Sequence, residues 1–479
     1  MSNVKKNFIY NTVYNILVLI IPLITAPYLA RVIQVDGVGI SSYSYSIAQY
    51  FVLFAILGLS NYGNRSIAKV RDNTEKLNKT FSEIYSMQII TSLTMITFYG
   101  LFLLLTKEYK IIFLIQSLYV ISSLFDISWL FFGVEKFKTT VLRNAIIKVL
   151  STIAIFAFVK NKNDTNIYIL INALSMLASQ FMLWIMARKI VKFIKPNKKD
   201  ILKHFAPNLK LFIPVLAISL YNIMDKVMLG IMINKNEVGY YENAEKIIQI
   251  PITIISALGT VMLPRITNLS VKGENNKIKN YIYKSIKTIM FISIPISAGL
   301  IIVGRNFCVL YFGKNFYLTG LLIEFLSCII IFKSWANVIR TQYLIPKEKD
   351  KIYITSVCIG AVINLIINIL LIPRLKSIGA CIGTILAEFT VMFYQTISVR
   401  RELNISKYLK ETVPFILKTM VMAVIIYPLN LINMNKLLIL SIQVIIGASI
   451  YSLLNIKYIN SLINLKKIIK KLKLRKKEV

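Results

Sequence analysis

Histidine, cysteine and acid are the shortages of this chain: one His, four Cys and 21 Asp and Glu stand against 57 Lys and Arg in 479 residues. The four cysteines, Cys308, Cys328, Cys358 and Cys381, have no metal-type spacing and read as small packing residues. The lone His204 sits in a basic stretch and is expected to be a solvated surface residue. Motifs are scarce as well. There is no GxxxxGKS/T phosphate loop, HExxH, GxSxG or EF-hand loop, which excludes the nucleotidase and hydrolase chemistries those patterns carry. The chain is therefore expected to be no enzyme and to hold no cofactor or catalytic metal. Any work it performs must draw on an ion gradient, such as protons or sodium, on a membrane potential, or on the gradient of a substrate.

Charge is thin too, at 16% of residues, whereas 56% are hydrophobic and the mean hydropathy is +0.65. One soluble core cannot hide that much apolar surface, so the excess must face lipid. Crossing about 30 Å of hydrocarbon takes about 20 apolar residues. Windows of that kind recur near 8–33, 41–63, 82–105, 111–132, 144–159, 167–187, 211–233, 241–264, 285–304, 318–343, 352–372, 378–399, 412–432 and 437–456. No soluble domain interrupts them. The pattern predicts an all-α polytopic membrane protein of about 14 transmembrane helices. The first helix carries no small-residue cleavage site and is expected to be retained.

A formal charge of +36 would suit nucleic acid, but the positions of the bases say otherwise. With a cytoplasmic amino terminus, Lys and Arg favour the inside loops by about four to one, as the positive-inside rule requires. No nucleic-acid partner is needed. Both termini are placed in the cytoplasm, and the tail from Lys466 to Lys477 is expected to meet anionic lipid headgroups.

A polar, helix-breaking stretch around Pro196 follows the sixth helix and looks like a joint. Shifting the sequence by 200 residues aligns Leu29, Ile33, Val38, Gly39, Ile47, Gln49, Arg65 and Lys79 with Leu229, Ile233, Val238, Gly239, Ile247, Gln249, Arg265 and Lys279. Helices one and seven run in the same direction, so the repeat is parallel. The expected organisation is a six-helix bundle over 1–193, a basic linker over 194–210, and a second six-helix bundle over 211–401. Two additional helices over 402–456 and a basic tail over 457–479 complete it. Two such bundles facing one another would enclose a central cavity.

Ionisable side chains at mid-membrane cost about 2.5–3.5 kcal/mol on insertion scales, so those present should face a cavity or a partner. Lys148 and Lys418 lie near the cytoplasmic face and can snorkel, and Arg31, Glu242 and Glu324 lie near the outer face. The deeper set is Asp126, Asp225, Lys226, Glu245, Lys246, Lys333, Arg340 and Glu388. Glu242 and Lys246 are four apart and share a helix face, so they can pair. Asp225 and Lys226 point about 100° apart, and one of them is expected to face the cavity. The second helix is rich in hydroxyls, including Ser42, Tyr45 and Ser46, and continues to Gln49. Hydroxyls and aromatic faces suit sugars, although Tyr43, Tyr240 and Tyr241 also fit an interfacial aromatic belt.

Three stretches carry a family resemblance: NTVYNILVLIIPLITAPYLARVIQVDGVG near the start, SSLFDISWLFFGVEKF around Asp126 and Trp129, and VGYYENAEKIIQIPITIISALGTVMLPRI from Val238. Together they resemble the Wzx-type polysaccharide flippases of the multidrug/oligosaccharidyl-lipid/polysaccharide exporter superfamily. The resemblance implies a bacterial cytoplasmic-membrane protein that moves an undecaprenyl-pyrophosphate-linked oligosaccharide to the outer leaflet by alternating access. It also implies the polymerase and glycosyltransferases of the same pathway as candidate partners. Related lipid II flippases carry a cavity arginine just before a Gln-x-Pro in helix eight, and the similar stretch here puts Lys246 at that position. A cationic cavity solves the problem of moving a charged pyrophosphate whose polyprenyl tail stays in lipid. On this reading Arg31, Lys246, Lys333 and Arg340 hold the pyrophosphate, and Ser42, Tyr45, Ser46 and Gln49 accommodate sugars. Asp126, Asp225, Glu245 and Glu388 serve as counter-ions or bind a coupling proton or sodium. The alternatives are an ion-coupled multidrug exporter of the same superfamily, a lipid II flippase, and a membrane scaffold that transports nothing.

Overall fold

The computed structural model describes residues 20–432 and 434–462, and among them every regular element is helical. Among the described residues twelve helical spans are long and apolar enough to cross a membrane, and the pair Lys314–Leu326 and Cys328–Leu344, bent by 41°, forms a thirteenth candidate crossing. The shorter apolar helix α1 (Ile20–Val32) belongs to the first predicted segment, whose earlier part lies outside the described residues. The end of the predicted basic tail, 463–479, lies outside them too.

Breaks within the predicted crossings have local causes. The second is divided into α2 (Gln34–Ile56) and α3 (Leu59–Val70) at Leu57, whose φ is 53°, and Gly58. A β-carbon on Gly58 would lie 2.5 Å from the backbone oxygen of Asn208, so only glycine allows that approach. Asn73 caps α4 (Thr74–Leu105) by accepting from the Lys76 amide at 2.9 Å. The next crossing divides into α5 (Lys110–Ser122) and α6 (Ser128–Gly133), and α7 (Phe137–Phe158) and α8 (Thr165–Ala187) follow. Then come the short α9 (Lys198–Leu202), α10 (Phe205–Met232), α11 (Lys235–Val271) and α12 (Asn275–Tyr311). The bent crossing consists of α13 (Tyr317–Leu326) and α14 (Cys328–Ile339), which ends in a π-helical turn over Arg340–Leu344. The last four are α15 (Asp350–Leu375), α16 (Ser377–Ser398), α17 (Ile405–Ile426) and α18 (Lys436–Leu454).

The chain forms two compact units, one of residues 1–246 with 357–387 and the other of 247–356 with 388–479. The boundaries fall inside α11, α15 and α16, a different partition from the six, six and two helices grouped by the sequence. In the second unit α12 packs against α13, α14, α17 and α18. In the first, Phe81, Tyr85, Trp129 and Trp184 form an aromatic cluster among α4, α6 and α8. Lipid is as apolar as such side chains, so close packing and hydrogen bonds hold helices together there. Gln88 of α4 supplies three bonds: its amide donates to the Ser123 and Asp126 carbonyls at 2.7 and 2.9 Å and accepts from the Trp129 indole at 3.0 Å. The joint between α5 and α6, a 3-10 turn over Ser123–Phe125 followed by Asp126 and Ile127, is thereby fixed.

The expectation of a solvated His204 is corrected. Its ring is buried, with Nδ1 2.6 Å from the Tyr62 hydroxyl and Nε2 2.9 Å from Glu83. Glu83 is a buried carboxylate and needs partners, which His204 and Lys203, at 3.0 Å, provide. The backbone amides of Lys192 and Ile194 donate to Asn78 and Ser82 of α4, so the joint is tied down along its length.

Candidate functional site

The first unit contains a cavity of about 650 Å³ walled by α1, α2, the α5–α6 joint, α7, α8, α10 and the start of α11. One edge depends on a close crossing of α2 and α11. A β-carbon on Gly39 would lie 1.8 Å from the Lys235 carbonyl oxygen, and one on Gly239 would lie 2.4 Å from that of Val35. The contact is reciprocal under the same 200-residue shift that aligns the sequence with itself. It brings Ser42 within 2.8 Å of Glu242.

The charges at the α10–α11 wall form a chain. Lys226 lies 2.7 Å from Glu242 and 2.8 Å from Glu245, and Lys246 lies 3.1 Å from the other oxygen of Glu242. The spacing-based pairing of Glu242 with Lys246 is therefore present, and Glu242 joins both lysines. Lys226, Glu242 and Lys246 line the cavity, as do Asp126, Arg143 and Lys148. Hydroxyls and amides fill the wall between these charges, including Ser175, Ser179, Asn172 and Gln180 of α8. Arg143 is buried and donates to Asn144, Ser179 and Gln180. Asp126 accepts from the amide of Ser128, the first residue of α6, at 2.9 Å. A cavity of this composition can hold an anionic, hydroxyl-bearing solute.

Of the residues singled out by sequence, Lys246, Ser42, Tyr45 and Asp126 line this cavity. Tyr45 meets the Tyr119 hydroxyl at 3.1 Å. Arg31 is exposed at the end of α1, Ser46 is buried within α2 and Gln49 is half-buried, and none of the three is among the lining residues. Glu245 reaches the cavity only through Lys226. Lys333 and Arg340 belong to the second unit, where Lys333 pairs with Glu388 at 3.0 Å and Arg340 sits over the Tyr353 ring at 5.5 Å. Sequence reasoning left out Arg143, which precedes the predicted fifth helix, and assigned Lys148 to snorkelling. The neighbouring Asn144 and Ser151, at helical spacing from Lys148, were the available signal of a wet face.

Asp225 faces away from the cavity. Its carboxylate accepts from Tyr241 at 2.7 Å, Thr384 at 2.6 Å and Asn368 at 2.5 Å, and is 3% exposed. Tyr241 is thus a buried partner of Asp225 rather than part of an interfacial belt. Asn364 accepts from Asn368 at 3.3 Å, and Asn368 Oδ1 itself receives no hydrogen bond.

Comparison with known proteins places the chain. Residues 4–270 match the profile described as "Polysaccharide biosynthesis protein". The chain belongs to this family. Residues 145–447 also match the profile "Lipid II flippase MurJ". A Shigella dysenteriae protein described as "Putative O-antigen transporter" is 24% identical over 383 residues, covering 79% of this chain and 96% of the relative. The fold is similar to that of a lipid II flippase MurJ in an inward closed conformation, with a TM-score of 0.77, 19% identity, and 95% of this chain and 99% of the other covered. It is also similar to an inward-facing multidrug resistance MATE transporter of the MOP superfamily, with a TM-score of 0.62, 13% identity, and coverage of 81% and 96%. The protein is a multi-pass membrane member of a flippase and transporter family, and not an enzyme.

Proposed function

We propose that this protein is a flippase that carries a polyprenyl-pyrophosphate-linked oligosaccharide from the cytoplasmic to the outer leaflet for surface polysaccharide assembly. The observation that carries the proposal is the cavity itself: Arg143, Lys148, Lys226 and Lys246 project among hydroxyls and amides in a chain of membrane-spanning helices. A pyrophosphate cannot cross hydrocarbon with its charge bare, whereas cations and sugar-bonding groups can shelter the headgroup as the lipid tail stays in the bilayer. Lys246, Ser42 and Tyr45 are assigned to the headgroup, with Asp126 and Glu245 as counter-ions. Asp225, among the Thr384, Tyr241 and Asn364 oxygens, is assigned to a coupling proton or sodium ion; hard cations favour such oxygen sets.

The test is complementation of a deletion strain. Wild-type protein should restore surface polysaccharide, and Lys246→Ala, present at equal membrane levels, should not. Full export from that variant would sink the assignment. A deletion that impairs cell-wall synthesis and leaves surface polysaccharide intact would transfer the substrate to lipid II.

A further inference from the structure

Arg143 of α7 is buried in the cavity wall, and its guanidinium is directed at α7 and α8 themselves. Nε and Nη2 donate to Oδ1 of Asn144 at 3.1 and 2.7 Å. Nη1 donates to Oε1 of Gln180 at 3.3 Å and to the Ser179 carbonyl at 3.2 Å. A guanidinium has donors and no acceptor, so the atom that each amide turns toward it must be the oxygen. Both NH2 groups are left pointing elsewhere. Asn144 and Gln180 line the cavity, and among the described residues neither amide nitrogen makes a hydrogen bond. The Ser179 hydroxyl lines it as well and is likewise uncommitted. Gln180 is only 3% exposed, so its nitrogen is a donor held in a wall rather than one bathed by bulk water. Donors enclosed in this way are costly unless something in the cavity accepts from them.

Resting on the flippase reading, we propose that Asn144 and Gln180 form a paired-amide site for the carbonyl oxygen of an acetamido group on the glycan, with Arg143 as its positioning residue. A carbonyl oxygen has two lone pairs and takes one N–H from each amide, while the acetamido N–H can donate to the Ser179 hydroxyl. The guanidinium charge is already turned to three neutral oxygens. The face offered to the glycan is therefore neutral, which suits a carbonyl better than a carboxylate. A ring hydroxyl lies directly on its sugar, whereas an acetamido oxygen stands off from it and reaches amides set back in a wall. A sugar without that group would leave the two donors unpaired, and such sites reject the analogue that lacks the acceptor.

The test uses the full chain in lipid nanodiscs, titrated by calorimetry with synthetic short prenyl diphosphates that carry N-acetylglucosamine, glucose or glucuronate. Wild-type protein should bind the N-acetylglucosamine probe about tenfold more tightly than the glucose probe, the size of two neutral hydrogen bonds. Asn144→Asp and Gln180→Glu each keep an oxygen for Arg143 and exchange the NH2 for an acceptor, so each should bring the ratio of the two affinities close to one. Arg143→Met should do the same through the amides, and Arg143→Lys, which keeps the charge without the fork, should restore little of it. The ratio is the readout because a merely structural role for Arg143 would weaken both probes together and leave it unchanged. A wild-type ratio near one, or a wild-type ratio kept by Asn144→Asp and Gln180→Glu, would overturn the paired-amide site and leave the flippase reading in place. Preference for the glucuronate probe would overturn it too, in favour of a carboxylate ligand. Equal affinity for a bare prenyl alcohol would remove the flippase reading itself.

Discussion

Asp225 and Lys226 are neighbours on α10, yet their surroundings are opposite. Asp225 is enclosed and bound by three neutral donors. Lys226 stands at a cavity wall and is balanced by two carboxylates, one of them on a side chain that is 35% exposed. Both arrangements keep an ionised group inside a membrane protein, by different physics. Fixed dipoles around an enclosed carboxylate hold one geometry, because donors that leave it keep only longer bonds, such as that of Asn368 to Asn364 at 3.3 Å and of Thr384 to the Ala380 carbonyl at 3.1 Å. Paired charges beside a cavity can exchange partners when an anion arrives. The first region holds its partners until a proton or cation neutralises Asp225, and the second exchanges them when an anion arrives.

The comparison breaks most readily at Asp225. Asp225→Ala leaves Tyr241, Thr384 and Asn368 without their acceptor and should cost about 3–5 kcal/mol, seen as a large fall in the unfolding temperature in detergent. Asp225→Asn should lose less. An unchanged transition for the alanine variant would show that the cluster is not needed for the fold. Lys226→Met comes next, at about 1–2 kcal/mol, because Glu245 is partly solvated and screened. Adding Glu245→Gln should recover part of that loss in the same assay. Lys246→Met should change stability by less than about 0.5 kcal/mol while removing transport, since its neighbour Glu242 keeps Lys226 and Ser42. A variant of Lys246 that unfolds early would erase the distinction between the regions.

The smallest effect is expected outside the crossings, at Glu402. The Lys349 ammonium and Tyr343 hydroxyl hold its carboxyl below the usual glutamate range. A depressed value means that the ionised form favours the folded state. Its contribution is complete above the unfolded value, about 4.3, and is lost as pH falls through the folded one. Glu402→Gln should therefore unfold slightly earlier than wild type at pH 7, and the gap should close as the medium is acidified below that range. A gap that persists in acid would mean that packing, and not charge, holds this loop.

Hydropathy made the crossings legible because lipid imposes a length on every one of them. The breaks were less so: Gly58 and the joint at 123–127 depend on Asn208 and Gln88, residues distant in sequence. Helical spacing was enough to pair Glu242 with Lys246 and to separate Asp225 from Lys226. It could not show that Ser46 and Gln49 turn away from the cavity, or that Lys148 turns toward it, because the rotation of a helix is set by its neighbours. His204 was misread for a similar reason. A basic, proline-containing stretch looks solvated until Glu83, far away in the chain, is found to require it.

The crossing of Gly39 and Gly239 has a further consequence, for how the chain can drift. A lipid-facing leucine can become isoleucine with little effect, and over time such exchanges blur any likeness between distant segments. At these two glycines even a methyl group would enter a carbonyl of the opposite helix. The two helices police each other: neither position can acquire a side chain while the other helix stays where it is. Among the eight residues that echo at a distance of 200, this pair should be the last to fade.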